Sequence, residues 1–251
     1  MIMQAIRGLV TAFRTLTILP LPGRDTDRFS TALYWFPAAG LFIGSVQVCC
    51  AFAVAMSGWH ELAGLAMIIS GVMLTRGLHA DGLADLADGF WGGKTKESTL
   101  RIMKDPNVGS FGALALILLM LVKWVAVLKL VELQAYAPLV SGVLLARWSQ
   151  VLLASTMPYA RSEGGTAHSF VHGAGAPHLL VTTMASILML WLILYAKPEL
   201  VAVALSAALA STVCTGYLSY RKIGGVTGDV LGAASEFCEA SVWISCALFC
   251  L

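Results

Sequence analysis

Three aspartates, Asp81, Asp85 and Asp88, stand in the run LHADGLADLADGFWGG at 78–93, separated by apolar residues and glycines. If the run is helical, offsets of 0, 4 and 7 residues place the three carboxylates within about 60° of one another on one face. Carboxylates gathered in this way repel unless a cation lies between them. Mg2+ suits such a face, because it is held by a few carboxylates together with substrate phosphates. A solvated acidic loop would not need Leu83, Ala84, Leu86, Ala87, Phe90 and Trp91 between its acids. Gly82, Gly89, Gly92 and Gly93 leave room for backbone to approach a bulky ligand. His79 falls about 160° from Asp81 on the same ideal helix, which suits a core or substrate-contacting histidine better than a metal ligand.

A second group lies in GGVTGDVLGAASE at 224–236, where Asp229, Gly232, Ala233 and Glu236 follow i, i+3, i+4, i+7 spacing. Small residues on a membrane helix serve close helix packing, and carboxylates in such a helix are functional candidates. Glu239 lies next to this stripe. Between the two groups, KDPNVGSFG at 104–112 opens on a helix-breaking Asp105-Pro106 and offers Asn107, Gly109 and Ser110 as donors to an anion. Lys104 would neutralise a phosphate or serve only as a loop lysine. Arg147, a cation within an apolar segment, needs a partner: one of the acids, or a phosphate. Arg161 follows Tyr159-Ala160 in a polar stretch and is a candidate substrate contact. His168 and His172, one turn apart with no acid beside them, read as a surface pair.

The elements that must position these residues are set by composition. With 58% hydrophobic and 12% charged residues in 251, against about a quarter charged in soluble proteins, the chain reads as an all-α, polytopic integral membrane bundle, one membrane-embedded domain over 1–251. Apolar runs predict about seven transmembrane helices, near 32–56, 62–75, 111–128, 137–157, 179–195, 201–217 and 230–251. The second is short, so its helix is expected to continue past Arg76 into the acidic run. Residues 2–19, with Arg7 and Arg14 at helical spacing before the breaker PLPG, suit an N-terminal interfacial or re-entrant helix. No cleavable signal pattern is present. With the N-terminus inside, twelve Lys and Arg residues fall on the cytoplasmic side against Lys129 and Lys197 on the other, leaving Lys123 and Arg147 within spans. The segments 76–109, 158–178 and 219–236 then meet on the cytoplasmic face. A net charge of +2 gives no reason to expect nucleic acid. The six cysteines, none in a CxxC pair, read as small buried hydrophobes.

At His79-Ala80-Asp81-Gly82-Leu83-Ala84-Asp85 through Asp88-Gly89, then Lys104-Asp105 and Gly109-Ser110-Phe111-Gly112, the sequence resembles the cobalamin synthase family, the adenosylcobinamide-GDP ribazoletransferases of prokaryotes. The likeness extends to Pro158-Tyr159-Ala160-Arg161 and to Gly224-Gly225-Val226-Thr227-Gly228-Asp229 with Glu236, and so covers essentially the whole chain. Ala80 and Pro106 stand where relatives would carry Leu or Met and Ser. The resemblance implies Mg2+-dependent transfer of the adenosylcobinamide phosphate group from its GDP-activated form to the 5′ oxygen of α-ribazole or α-ribazole 5′-phosphate, with GMP leaving. For that reaction Asp81, Asp85, Asp229 and Glu236 are the expected metal ligands. Asp88 is a further ligand or the general base, and Arg147 and Lys104 hold phosphate. His79, Gly82, Gly89, Asn107, Arg161 and Thr227 line the substrate. It also implies a multi-pass place in the cytoplasmic membrane, with a second copy of the chain or other enzymes of the pathway as candidate protein partners.

Other classes fit less well. A CDP-alcohol phosphotransferase needs an arginine shortly after DxxDG, where this chain has Phe90-Trp91-Gly92-Gly93. A prenyltransferase needs paired DxxxD motifs preceded by Asn, and only Asp81 to Asp85 has that spacing. A cation transporter would carry repeated halves and midplane acids.

Overall fold

Backbone in hydrocarbon must satisfy its own hydrogen bonds, so long apolar runs fold as helices. A computed structural model of the protein describes residues 2–195 and 197–251. Among them helices follow one another as α1 (Ile2–Leu16), a 3-10 turn (Phe29–Trp35), α2 (Phe36–Ala55), α3 (His60–Thr75), α4 (Leu78–Gly92), α5 (Lys96–Ile102), α6 (Ser110–Glu132), α7 (Tyr136–Thr156), α8 (His168–Val171), α9 (Ala176–Ile193), α10 (Pro198–Ile223) and α11 (Gly228–Phe249). Five of these stretches are long and apolar enough to cross a membrane, and the bent pair α3 and α4 makes a sixth if taken as one broken span. The seventh expected span forms as α11, which has the length, 22 residues, but carries Asp229, Glu236 and Glu239 and is not among those six.

The helix of α3 does not run on into the acidic segment as expected. Arg76 and Gly77 both take the left-handed conformation, with φ of 55° and 67°, and the amide of Gly77 bonds back to the carbonyl of Val72 at 2.8 Å. Glycine takes this conformation without the Cβ clash that makes it rare elsewhere. The chain leaves α3 and starts α4 at 89° to it, so the three aspartates ride on a helix of their own.

α11 is the centre of the bundle, packed against α10, α7, α4 and α6. Close approach comes from small residues: a Cβ on Gly40 would lie 2.8 Å from the carbonyl of Val143, tying α2 to α7, and one on Gly82 would lie 2.9 Å from Cα of Asp229, tying α4 to α11. α1 lies on the 3-10 turn with Ala12 and Leu16 buried. Its arginines bind the following loop, Arg7 to Asp27 and Arg14 to Asp25, each at 3.2 Å. The amphipathic segment expected at the N-terminus therefore forms as a helix that stops at Leu16. The cysteines are all free, and only Cys238 and Cys246 are fully buried; Cys49 and Cys214 are exposed on α2 and α10, contrary to the expectation that all six fill the interior.

Candidate active site

The α4 run forms a helix as its spacing requires, and the chain ends nearest to it are tied together by short bonds. Pro158 to Ala160 pairs with Val226 as a single parallel bridge: Val226 donates to the carbonyl of Pro158 at 2.9 Å, and Ala160 donates to that of Val226 at 2.8 Å. Ser219 holds the turn by donating to the carbonyl of Gly225 at 2.6 Å, and Gly224 turns the chain at φ 77°. Thr227 then caps α11, its hydroxyl accepting from the amide of Val230 at 3.3 Å and donating to Oδ2 of Asp229 at 3.2 Å. These ties bring Arg161 against Asp229, Nη2 to Oδ2 at 2.7 Å, with the same nitrogen 3.4 Å from the carbonyl of Met103.

Because Gly82 has no Cβ, Asp229 sits directly against α4. Asp85 lies within electrostatic reach of Asp229, Asp81, Asp88 and Arg161. Asp81 and Asp229, with His79 and Gly82, share a cavity of about 280 Å3 whose remaining wall is largely apolar, from Leu16, Leu33, Phe36 and Phe170. Asp81 also opens on a second cavity of about 560 Å3 beside Arg76 and Val108. Asp81, Asp85 and Asp229 thus stand near Arg161 where α4, α11 and the 158–161 segment join.

Asp88 is held differently. Its Oδ2 accepts from the amide of Gly109 at 2.7 Å and its Oδ1 from that of Gly112 at 2.9 Å, at the start of α6. A carboxylate there satisfies amides that the helix leaves without partners and complements its dipole. Lys104 pairs with Glu163 at 2.9 Å, and its hydrogen bond holds the Glu163 carboxyl below the ordinary glutamate value. The Asn107 amide, with its side chain, binds Asp105 at 2.9 and 2.8 Å and lowers that acid's pKa. Burial pushes the Tyr159 phenol above its usual value.

The sequence model of the family described as cobalamin-5-phosphate synthase matches residues 8–247. The chain belongs to the cobalamin-5-phosphate synthase family. Adenosylcobinamide-GDP ribazoletransferase of Pelodictyon phaeoclathratiforme is 60% identical to it over 247 residues, 97% of each chain. The enzyme of the same name from Chlorobaculum tepidum is 55% identical over 97% of this chain and 96% of its own. That from Syntrophobacter fumaroxidans is 36% identical over 92% and 94%. No solved structure matches the chain. This cobalamin-5-phosphate synthase relative is an enzyme of cobalamin biosynthesis, a transferase built as a membrane helix bundle.

Not all the residues singled out in the chain meet at the acid cluster. Glu236 lies two turns deeper on α11, where it accepts from Lys123 at 2.5 Å, and Glu239 accepts from the same ammonium at 2.8 Å. Arg147 donates to Ser235 at 3.0 Å and lies 3.5 Å from Glu239. Two cations and two carboxylates therefore neutralise one another inside the bundle, with Arg147 beside Glu239 and Glu236 engaged by Lys123. His79 is buried and borders both this network and the cavity lined by Asp81 and Asp229. Gly89 serves packing, since a Cβ there would lie 3.1 Å from the carbonyl of Thr99 on α5. The rings of His168 and His172 stack on α8, 5.5 Å apart. Sequence reading passed over the face of α5: its Lys96, Glu97, Leu100 and Arg101 line a cavity with Lys104 and Arg161. Their i, i+1, i+4, i+5 spacing was the available signal.

Proposed function

We propose that the protein transfers the adenosylcobinamide phosphate group of adenosylcobinamide-GDP to the 5′ oxygen of α-ribazole or its 5′-phosphate, releasing GMP. The observation that carries this reading is the junction at Gly82, which sets Asp229 beside Asp81 and Asp85 with Arg161 alongside. The names of the relatives, which span nearly the same length, point to the same reaction.

Phosphoryl transfer asks a protein mainly for positioning and neutralisation of charge. Among the described residues no three His, Cys, Asp or Glu side chains converge closely enough to cage a metal ion by themselves. The donor set nevertheless fits Mg2+, which takes hard oxygen ligands, commonly one or two carboxylates completed by substrate phosphates and water. Asp81, Asp85 and Asp229 would supply those one or two carboxylates, and the ion would withdraw negative charge from the phosphate oxygens. Arg161, against Asp229, then exchanges part of that contact for a phosphate, and Lys104, which lines the neighbouring cavity with Arg161, exchanges Glu163 for another. The acceptor oxygen forms the new bond to phosphorus as the bond to GMP breaks. The proton of the acceptor hydroxyl passes to the carboxylate cluster, while Asp88, with both oxygens taken by α6 amides, keeps α4 and α6 in register. His79 and Gly82 line the cavity on the substrate side, and Thr227 orients Asp229. The bias of basic residues supports a cytoplasmic orientation for this face and the N-terminus, with the protein multi-pass in the cytoplasmic membrane.

The test is purified protein in detergent supplied with adenosylcobinamide-GDP, α-ribazole and Mg2+. GMP and the joined corrinoid are expected in equal amounts, and chelation by EDTA stops their formation. Ion flux in protein-containing vesicles without any GMP release would overturn the reading in favour of a transporter.

A further inference from the structure

A cavity of about 400 Å3 opens between α5 and the segment 160–163, beside the acid cluster. One wall is the face of α5 bearing Lys96, Glu97, Leu100 and Arg101, continued by Lys104, and the other carries Arg161 and Glu163. Four cations against two carboxylates favour an anionic occupant. The charges are also ordered along the cavity. Arg161 binds Asp229 and the carbonyl of Met103 through Nη2, which sets its guanidinium at the end of the cavity nearest the acids. Lys104 follows directly on Met103 at that end. Lys96 and Glu97 stand at the opposite end of α5, roughly 10 Å away at a helix rise of 1.5 Å per residue, which matches the span of a nucleotide from phosphate to base. Leu100 gives the apolar patch between them. Glu97 has no ion-pair or hydrogen-bond partner for its carboxylate among the described residues, whereas Glu163 is tied to Lys104.

A carboxylate facing the edge of a purine selects guanine. The guanine N1–H and 2-amino group donate in parallel to its two oxygens, hypoxanthine keeps only N1–H, and adenine presents an acceptor where guanine donates. We propose that this cavity is the subsite for the guanosine phosphate end of the substrate, with phosphate at Arg161 and Lys104, the base against Leu100, and Glu97 reading guanine. The inference rests on the transfer reaction proposed above and adds the site and the specificity of its leaving group.

Binding of GMP, IMP and AMP to the purified full chain with Mg2+, measured by calorimetry without corrinoid or α-ribazole, separates the two claims. The wild type should hold GMP about tenfold more tightly than IMP, and AMP more weakly still. Glu97→Gln should reduce the GMP to IMP ratio to near one. Lys104→Ala should weaken GMP and IMP alike and leave their ratio in place. Both side chains are exposed, and unchanged thermal unfolding checks that the variants fold. Equal binding of GMP and IMP by the wild type, or an unaltered ratio in Glu97→Gln, overturns the subsite even where turnover with adenosylcobinamide-GDP is intact. Absence of turnover with normal GMP selectivity would overturn the reaction and keep the subsite.

Discussion

Replacing Gly82 by alanine tests the junction on which the proposed active site depends. The new Cβ would lie 2.9 Å from Cα of Asp229 and 3.0 Å from its carbonyl oxygen, and both atoms are backbone that cannot swing aside. Restoring an ordinary contact of 3.4 Å requires α4 and α11 to part by about 0.5 Å. Overpacking of this kind costs about 1–3 kcal/mol. A 1 Å misplacement of reacting groups costs about a hundredfold in rate, so half that displacement corresponds to about tenfold. The assay is the initial rate of GMP release at saturating substrates, with thermal unfolding in detergent measured on the same preparations. Two further alanines calibrate it. At Gly232 the Cβ would stand 3.2 Å from the carbonyl of His79, a milder conflict across the same junction, and at Gly92 it would meet only the terminal methyl of Ile102 at 3.3 Å. The expected order of loss is Gly82→Ala, then Gly232→Ala, then Gly92→Ala with a rate close to wild type. A Gly82→Ala enzyme as fast and as stable as Gly92→Ala would refute the reasoning that close approach at this glycine assembles the acids.

Asp85→Asn should abolish GMP release while insertion and thermal unfolding stay near wild type. Asp88→Asn should act the other way, lowering thermal stability by about 1–3 kcal/mol because an amide leaves one of the Gly109 and Gly112 amides without its acceptor. Lys123→Met should remove most folded protein, since it strands Glu236 and Glu239 in the bundle at a cost of about 3–5 kcal/mol. Adding Glu236→Gln to it leaves Arg147 balancing Glu239, and the yield of folded protein measured by size-exclusion chromatography should recover. The Lys104–Glu163 contact should persist at neutral pH and be lost as acid is added. The folded carboxyl is held below its ordinary value, so the contact is present above the unfolded pKa and fails as pH falls through the folded one, which the Glu163 side-chain NMR shift reports.

Much of this arrangement was legible in the sequence. The spacing of Asp81 and Asp85 placed them on one helical face, and the i, i+3, i+4, i+7 stripe of Asp229, Gly232, Ala233 and Glu236 placed Asp229 at the start of a helix. What the spacing could not give was depth and partner. Asp229 and Glu236 share a stripe, yet seven residues of helix separate them by about 10 Å along the axis, and the partner of Glu236 comes from α6 through Lys123, which stands alone in its own apolar run. The job of Asp88 was hidden because its donors are the backbone amides of Gly109 and Gly112, which leave no side-chain signature. The turn at Arg76 and Gly77 escaped because arginine seldom takes a positive φ, so a continuing helix was the simpler reading of 62–81.

The most direct test of an acid cluster built from α4 and α11 is Mn2+ binding to the purified chain, read by electron paramagnetic resonance in the presence of GMP. The wild type should bind the ion, Asp85→Asn and Asp229→Asn should weaken binding by about tenfold or more, and Glu236→Gln should bind as the wild type does. Unchanged binding in both aspartate variants, or loss confined to Glu236→Gln, would contradict it.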